Sequence, residues 1–165
     1  MAAAEGVRQV LKSDGDRRDR ARGQQLWRGE RVPEAGPADA LDEEDGSTLG
    51  IDPYRFTPEA QARYLADIHE SESPCAREGI IHPSRLLRLG NWALMHNVVL
   101  GPWIHLGGTV TQLAPARVGD YLTVRGRVIA NYERKGRRFL ELDALIVANE
   151  VAPVAHLLHT AIYLQ

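Results

Sequence analysis

From Pro83 to about Val99 the chain sets Leu86, Leu87, Leu89, Ala93, Leu94 and Val98 so close together that apolar side chains cover most of a helix circumference. Such a helix has almost no face for water, so the rest of the fold must enclose it. Beyond the helix the spacing of apolar residues changes from helical to alternating, the signature of strands with one buried face. Trp103 to Leu113 reads as a strand and Pro115 to Asp120 as a turn; from Tyr121 to Arg134, Leu122, Val124 and Val128 alternate with Thr123, Arg125 and Arg127. Lys135-Gly136 is a hairpin turn, Phe139 to Ala148 returns with Leu140, Leu142, Ala144 and Ile146 inward, and Val154 to Leu164 is a last strand after Asn149-Glu150. The helix is predicted to stop at Gly101-Pro102, and Gly90 inside it to mark a close backbone approach. The expected class is α+β: an antiparallel sheet wrapped round a central helix.

Upstream, the composition shifts. Residues 1–49 read as a charged, poorly ordered extension, because Asp14 to Arg22 is a dense mixed-charge run and Leu41 to Gly46 is mostly acids. Val7, Val10, Leu11 and Trp27 are its apolar exceptions, and a tryptophan is costly to leave in water. The remainder, residues 50–165, reads as a single domain. Tyr54-Arg55-Phe56 reads as a short strand, and Thr57-Pro58-Glu59 opens a helix with Thr57 as cap and Pro58 at its first position, with Tyr64, Leu65 and Ile68 on one face. The polar run from His69 to Gly79 reads as a loop.

Several function classes drop out on composition. A formal net charge of -2 gives no electrostatic footprint for nucleic acid. The single cysteine, Cys75, rules out an intrachain disulfide, and no paired Cys or His has the spacing of a zinc site. The N-terminus lacks the basic-then-apolar pattern of a signal peptide, and no run reaches the roughly 18 apolar residues of a membrane span. The expectation is a cytoplasmic protein that takes no part in a membrane.

The order of elements, the helix opened by Ile81-His82, and the phrase Leu113-Ala114-Pro115-Ala116-Arg117-Val118-Gly119-Asp120-Tyr121-Leu122 leading into a strand resemble the hotdog fold. In particular they look like the MaoC-like acyl dehydratase and (R)-specific enoyl-CoA hydratase group, over roughly residues 50 to 165. The resemblance implies an acyl thioester, carried by coenzyme A or an acyl carrier protein, as substrate or ligand, with no further cofactor and no metal. It also implies a homodimer, or a heteromer with another hotdog subunit, because an uncovered edge strand invites aggregation.

Active members of that group carry a motif like Ser-Gly-Asp-x-Asn-Pro-x-His, whose Asp and His activate a water. Aligned on Pro74, this chain has Ser71 and Ala76 at those places. Glu70, Glu72 and His69 lie within one or two positions, so a shifted pair is one reading and an ordinary solvated loop the other. The family's helix opens His-Gly, and the glycine amide donates to the thioester oxygen; here it opens His82-Pro83, and proline has no amide hydrogen. Ser84, by amide or hydroxyl, is the candidate substitute at the helix start, against the plain alternative that these residues only begin a helix. The candidate catalytic set is therefore Glu70, Glu72, His69, His82 and Ser84, with Arg85 and Arg88 as candidates for the carrier's phosphates. The competing expectations are an enoyl-thioester hydratase or dehydratase, a non-catalytic acyl-CoA-binding subunit paired with a catalytic hotdog chain, and a thioesterase, which would lack an acid on the central helix.

Overall fold

The computed structural model describes residues 36–37, 48–70, 73–99 and 101–163. Trp27 and nearly all of the charged extension lie outside these residues, as does Glu72. In chain order the elements are β1 (Gly36–Pro37), β2 (Thr48–Arg55), α1 (Pro58–Asp67), α2 (Pro74–Glu78), α3 (Pro83–Asn97), β3 (Val98–Val99), β4 (Trp103–Gln112), β5 (Tyr121–Arg134), β6 (Arg137–Ala148) and β7 (Ala152–Tyr163). The five long strands form one sheet in the order β2-β5-β6-β7-β4, every pair antiparallel.

The sheet curves round α3, which contacts β2, β5, β6 and β7. Leu86, Leu89, Ala93 and Leu94 of α3 are buried against Val124, Leu142, Ala144 and Leu157 of the strands. Gly90 lets the helix come close: a Cβ there would lie 3.2 Å from His159 Nδ1 and 3.5 Å from Leu157 Cδ1. The alternation read along β5 and β6 puts Leu122, Val124, Val128, Leu140, Leu142 and Ile146 in the core. Lys135 and Gly136, with φ of 55° and 70°, make the turn between them, a left-handed pair suited to a two-residue hairpin.

Four boundaries differ from the sequence reading. β2 runs the length of Thr48–Arg55 rather than three residues, because a bulge between Ile51 and Tyr54 takes up Pro53 without ending the pairing. The expected loop contains α2, whose Pro74 and Gly79 are a first-turn proline and a left-handed C-terminal cap at φ 64°. α3 ends at Asn97, four residues before Gly101, because Val98 is already extended. β3 then pairs in parallel with β1, Gly36 opposite Val98 and Pro37 opposite Val99.

Candidate functional site

Four hydrogen bonds set the approach to the N-terminus of α3. Thr57 caps α1 by accepting from Ala60 N–H at 3.2 Å. Gln61, one turn on and buried, donates through Nε2 to Ile80 O at 2.8 Å, which ties α1 to the segment that enters α3. Ile81 N–H donates to Ala116 O at 2.8 Å and Val118 N–H to Gly79 O at 2.9 Å, so the turn before β5 holds the same segment from the other side. The turn phrase by which the fold is recognised therefore acts as the brace of the helix start.

Four polar side chains meet there. Ile68 caps the C-terminus of α1, His69 turns the chain with φ 57°, and Glu70 N–H closes back on Leu65 O at 2.9 Å. That turn brings Glu70 Oε2 to 2.9 Å from His82 Nε2. His82 is the N-cap of α3; its Nδ1 lies 2.6 Å from Ser84 Oγ and accepts from Ser84 N–H at 3.3 Å. Ser84 Oγ in turn lies 2.5 Å from the hydroxyl of Tyr64 on α1.

The proton positions are set by the partners. An ionised carboxylate only accepts, so His82 Nε2 carries the hydrogen and, in the neutral ring, Nδ1 is the bare nitrogen. Ser84 then donates its hydroxyl hydrogen to Nδ1, and Tyr64 donates to Ser84 Oγ. Glu70 and His82 keep 36% and 20% of their side-chain surface, so the chain of contacts opens to solvent at the glutamate end. Glu70 also lines a shallow cleft with Ala62, Leu65, Ala66 and His69.

Of the residues singled out in the sequence, Glu70, His82 and Ser84 come together. His69 lines the cleft but its exposed ring takes no part in the contacts. Arg85 is sandwiched, its guanidinium 4.6 Å from the Phe56 ring centre and 4.7 Å from that of Tyr64, and burial, then the neighbouring Arg88, holds its pKa below the usual arginine value. Arg88 is exposed and 5.9 Å over Trp92. The first-turn amides of α3 are engaged: Pro83 has none, Ser84 N–H goes to His82 Nδ1, and Arg85 N–H goes to His82 O at 2.9 Å. Cys75 is a free thiol, half-buried. Among the described residues there is no group of three or more His, Cys, Asp or Glu placed to hold a metal ion, and no helix long and apolar enough to cross a membrane.

Sequence reasoning misses Tyr64 as a site residue and assigns it to the apolar face of α1. Nothing local marks it otherwise, since its partner lies 20 positions away.

No protein-family model and no curated protein matches the sequence. Solved structures do match its shape. An R-hydratase from Pseudomonas aeruginosa in the unliganded form superposes with a TM-score of 0.63 at 15% identity, covering 79% of this chain and 86% of its own. A MaoC-like dehydratase from Rhodospirillum rubrum gives 0.59 at 16% identity over 74% of this chain and 95% of its own. A HadBC (3R-hydroxyacyl-ACP dehydratase) complex from Mycobacterium tuberculosis gives 0.56 at 15% identity over 70% of this chain and 93% of the matched one. The antiparallel sheet closed round α3 is thus the hotdog fold, in the form that these hydratases and dehydratases share.

Proposed function

We propose that the chain binds acyl thioesters and adds water to, or removes it from, their enoyl form, with Glu70 and His82 as the acid-base pair. The observation that carries this is the 2.9 Å contact between Glu70 Oε2 and His82 Nε2 at the mouth of the buried helix. It supplies a carboxylate and an imidazole to a chain that has Ser71 and Ala76 at the two places where the family's motif carries them. Glu70 meets His82 with one carboxylate oxygen, so the other is left to hold a water at the cleft it lines. In hydration that oxygen takes a proton from the water, hydroxide adds to the β-carbon, and a proton from the pair reaches the α-carbon; dehydration is the reverse. The likeness of the fold to R-hydratases and a 3R-hydroxyacyl-ACP dehydratase complex supports this substrate class. Arg88, exposed one turn beyond Ser84, and Arg85 beside it are proposed to meet the phosphates of the carrier. The setting proposed is the cytoplasm, and the assembly a dimer, either of two copies or with another hotdog chain.

One observation favours a second reading. No first-turn amide of α3 is free to receive the thioester oxygen, since Pro83 lacks one and that of Ser84 is bound to His82. Losing one such donor typically costs about 10²–10³ in rate, whereas binding survives it. In this reading the chain is a non-catalytic subunit that holds the acyl thioester while a partner hotdog chain does the chemistry.

Loss of enoyl absorbance from crotonyl-CoA separates the two. A hydratase consumes it, and Glu70→Gln or His82→Ala slows it by about 10²–10⁴. Binding of crotonyl-CoA without turnover at any protein concentration rejects the hydratase in favour of the subunit.

A further inference from the structure

We propose that Ser84 is a nucleophile, and that this site also cleaves saturated acyl thioesters through an acyl-serine. The substrate class rests on the reading above; the chemistry does not, because it needs no double bond. An activated serine is recognised by a base within hydrogen-bond reach and a third group that orients the base. Ser84 Oγ lies 2.6 Å from His82 Nδ1, and His82 Nε2 lies 2.9 Å from Glu70 Oε2. The carboxylate fixes the tautomer that turns a bare nitrogen toward the serine hydroxyl. A helix cap alone needs only His82 and the Ser84 amide. It explains neither the carboxylate brought from another segment nor the hydroxyl of Tyr64, 2.5 Å from Ser84 Oγ.

Tyr64 completes the set. Where a backbone amide at the helix start would receive a thioester oxygen, Pro83 and the capped Ser84 amide give nothing. The Tyr64 hydroxyl, which donates to Ser84 Oγ at rest, is the donor that can turn to the charge of the tetrahedral intermediate once Oγ has bonded to the carbonyl carbon. The Arg85 guanidinium, 4.7 Å from the Tyr64 ring centre, adds a fixed positive charge beside it.

The step balances with water alone. The Ser84 hydroxyl proton passes to His82 Nδ1 as Oγ bonds to the thioester carbonyl carbon. The tetrahedral oxyanion collapses, the carbon–sulfur bond breaks, and the departing thiolate takes the proton from the imidazolium and leaves as a free thiol. A water then gives its proton to Nδ1 and attacks the ester, and the proton returns to Ser84 as the carboxylic acid leaves. Nothing is oxidised or reduced.

The test uses the full-length protein and butyryl-CoA, which cannot be hydrated. Expected are thiol release and, on acid quench, a mass gain of one butyryl group on the peptide that contains Ser84. Ser84→Ala abolishes both. Ser84→Cys keeps the adduct as a thioester, which guards against a folding defect in the alanine variant. Glu70→Gln and Tyr64→Phe each slow acylation by about 10²-fold or more. No adduct and no thiol release above the uncatalysed rate, or thiol release unchanged in Ser84→Ala, overturns the proposal. Crotonyl-CoA run in parallel tells the two ideas apart: hydration without an adduct leaves the hydratase and removes the nucleophile, and an adduct without hydration does the opposite.

Discussion

Asn97 closes the far end of the central helix as His82 opens the near one. Only 2% exposed, it donates through Nδ2 to Gly50 O at 2.5 Å and to Ala93 O at 2.6 Å, and accepts from Gly50 N–H at 3.3 Å. Asn97→Ala leaves the Gly50 groups buried without that partner, and stability falls by about 2 kcal/mol, read by chemical denaturation. The tie to Gly50 spans 47 positions, and no local spacing in the sequence announces it. The strand histidines show the same limit. His156 has a partner, with Nε2 2.6 Å from Asp143 Oδ1, whereas the buried His159 leaves both ring nitrogens without a hydrogen-bond partner and stacks on His105 at 4.2 Å, and no spacing in the sequence tells the two apart. Burial first, then the nearby His105, brings the His159 pKa down to about 4 from its ordinary 6.5. The unfolded chain therefore takes up a proton that the folded one refuses. This share of stability is whole above about pH 6.5, declines as pH falls toward 4, and is level below that. Thermal melts from pH 7.5 to 4.5 should lose less in His159→Phe than in the parent, and equal losses would contradict the assignment.

At the scale of elements, legibility followed burial. The strands β5 and β6 were readable because one face of each meets the core, which imposes a period on the sequence, whereas α3, read as apolar nearly all round, buries one side and leaves Arg88, Met95 and His96 exposed. α2 was not readable, because its five residues bury no side chain fully and its Pro74 and Gly79 are the residues that also punctuate loops. β1 and β3, two residues each, carry no period at all. The hairpin of β5 and β6 was found by its turn, yet only half of that turn suits the backbone. Lys135 sits at φ 55°, where a side chain is strained and asparagine is tolerated better than lysine. Lys135→Asn is therefore expected to raise stability by about 0.5 kcal/mol, measured by the denaturation midpoint at unchanged slope.

For the whole molecule, the two edges of the sheet differ. β2 is bound to α3 through Asn97, whereas β4 exposes Ile104 to 59% and Leu106 to 56%, and among the described residues it is an apolar edge with no further strand beside it. The proposed dimer is expected to cover this edge. Sedimentation should show a dimer that Ile104→Lys with Leu106→Lys converts to monomers; a parent that is already a monomer would point to a different chain as partner. The candidate site is arranged on another principle. Glu70, His82, Ser84 and Tyr64 all fall on one stretch whose outermost members are 20 positions apart, although they come from two helices and a turn. Such machinery is inherited in a single piece: one recombination event, or one graft of that stretch onto a related scaffold, carries all four groups across, and one small deletion removes them all.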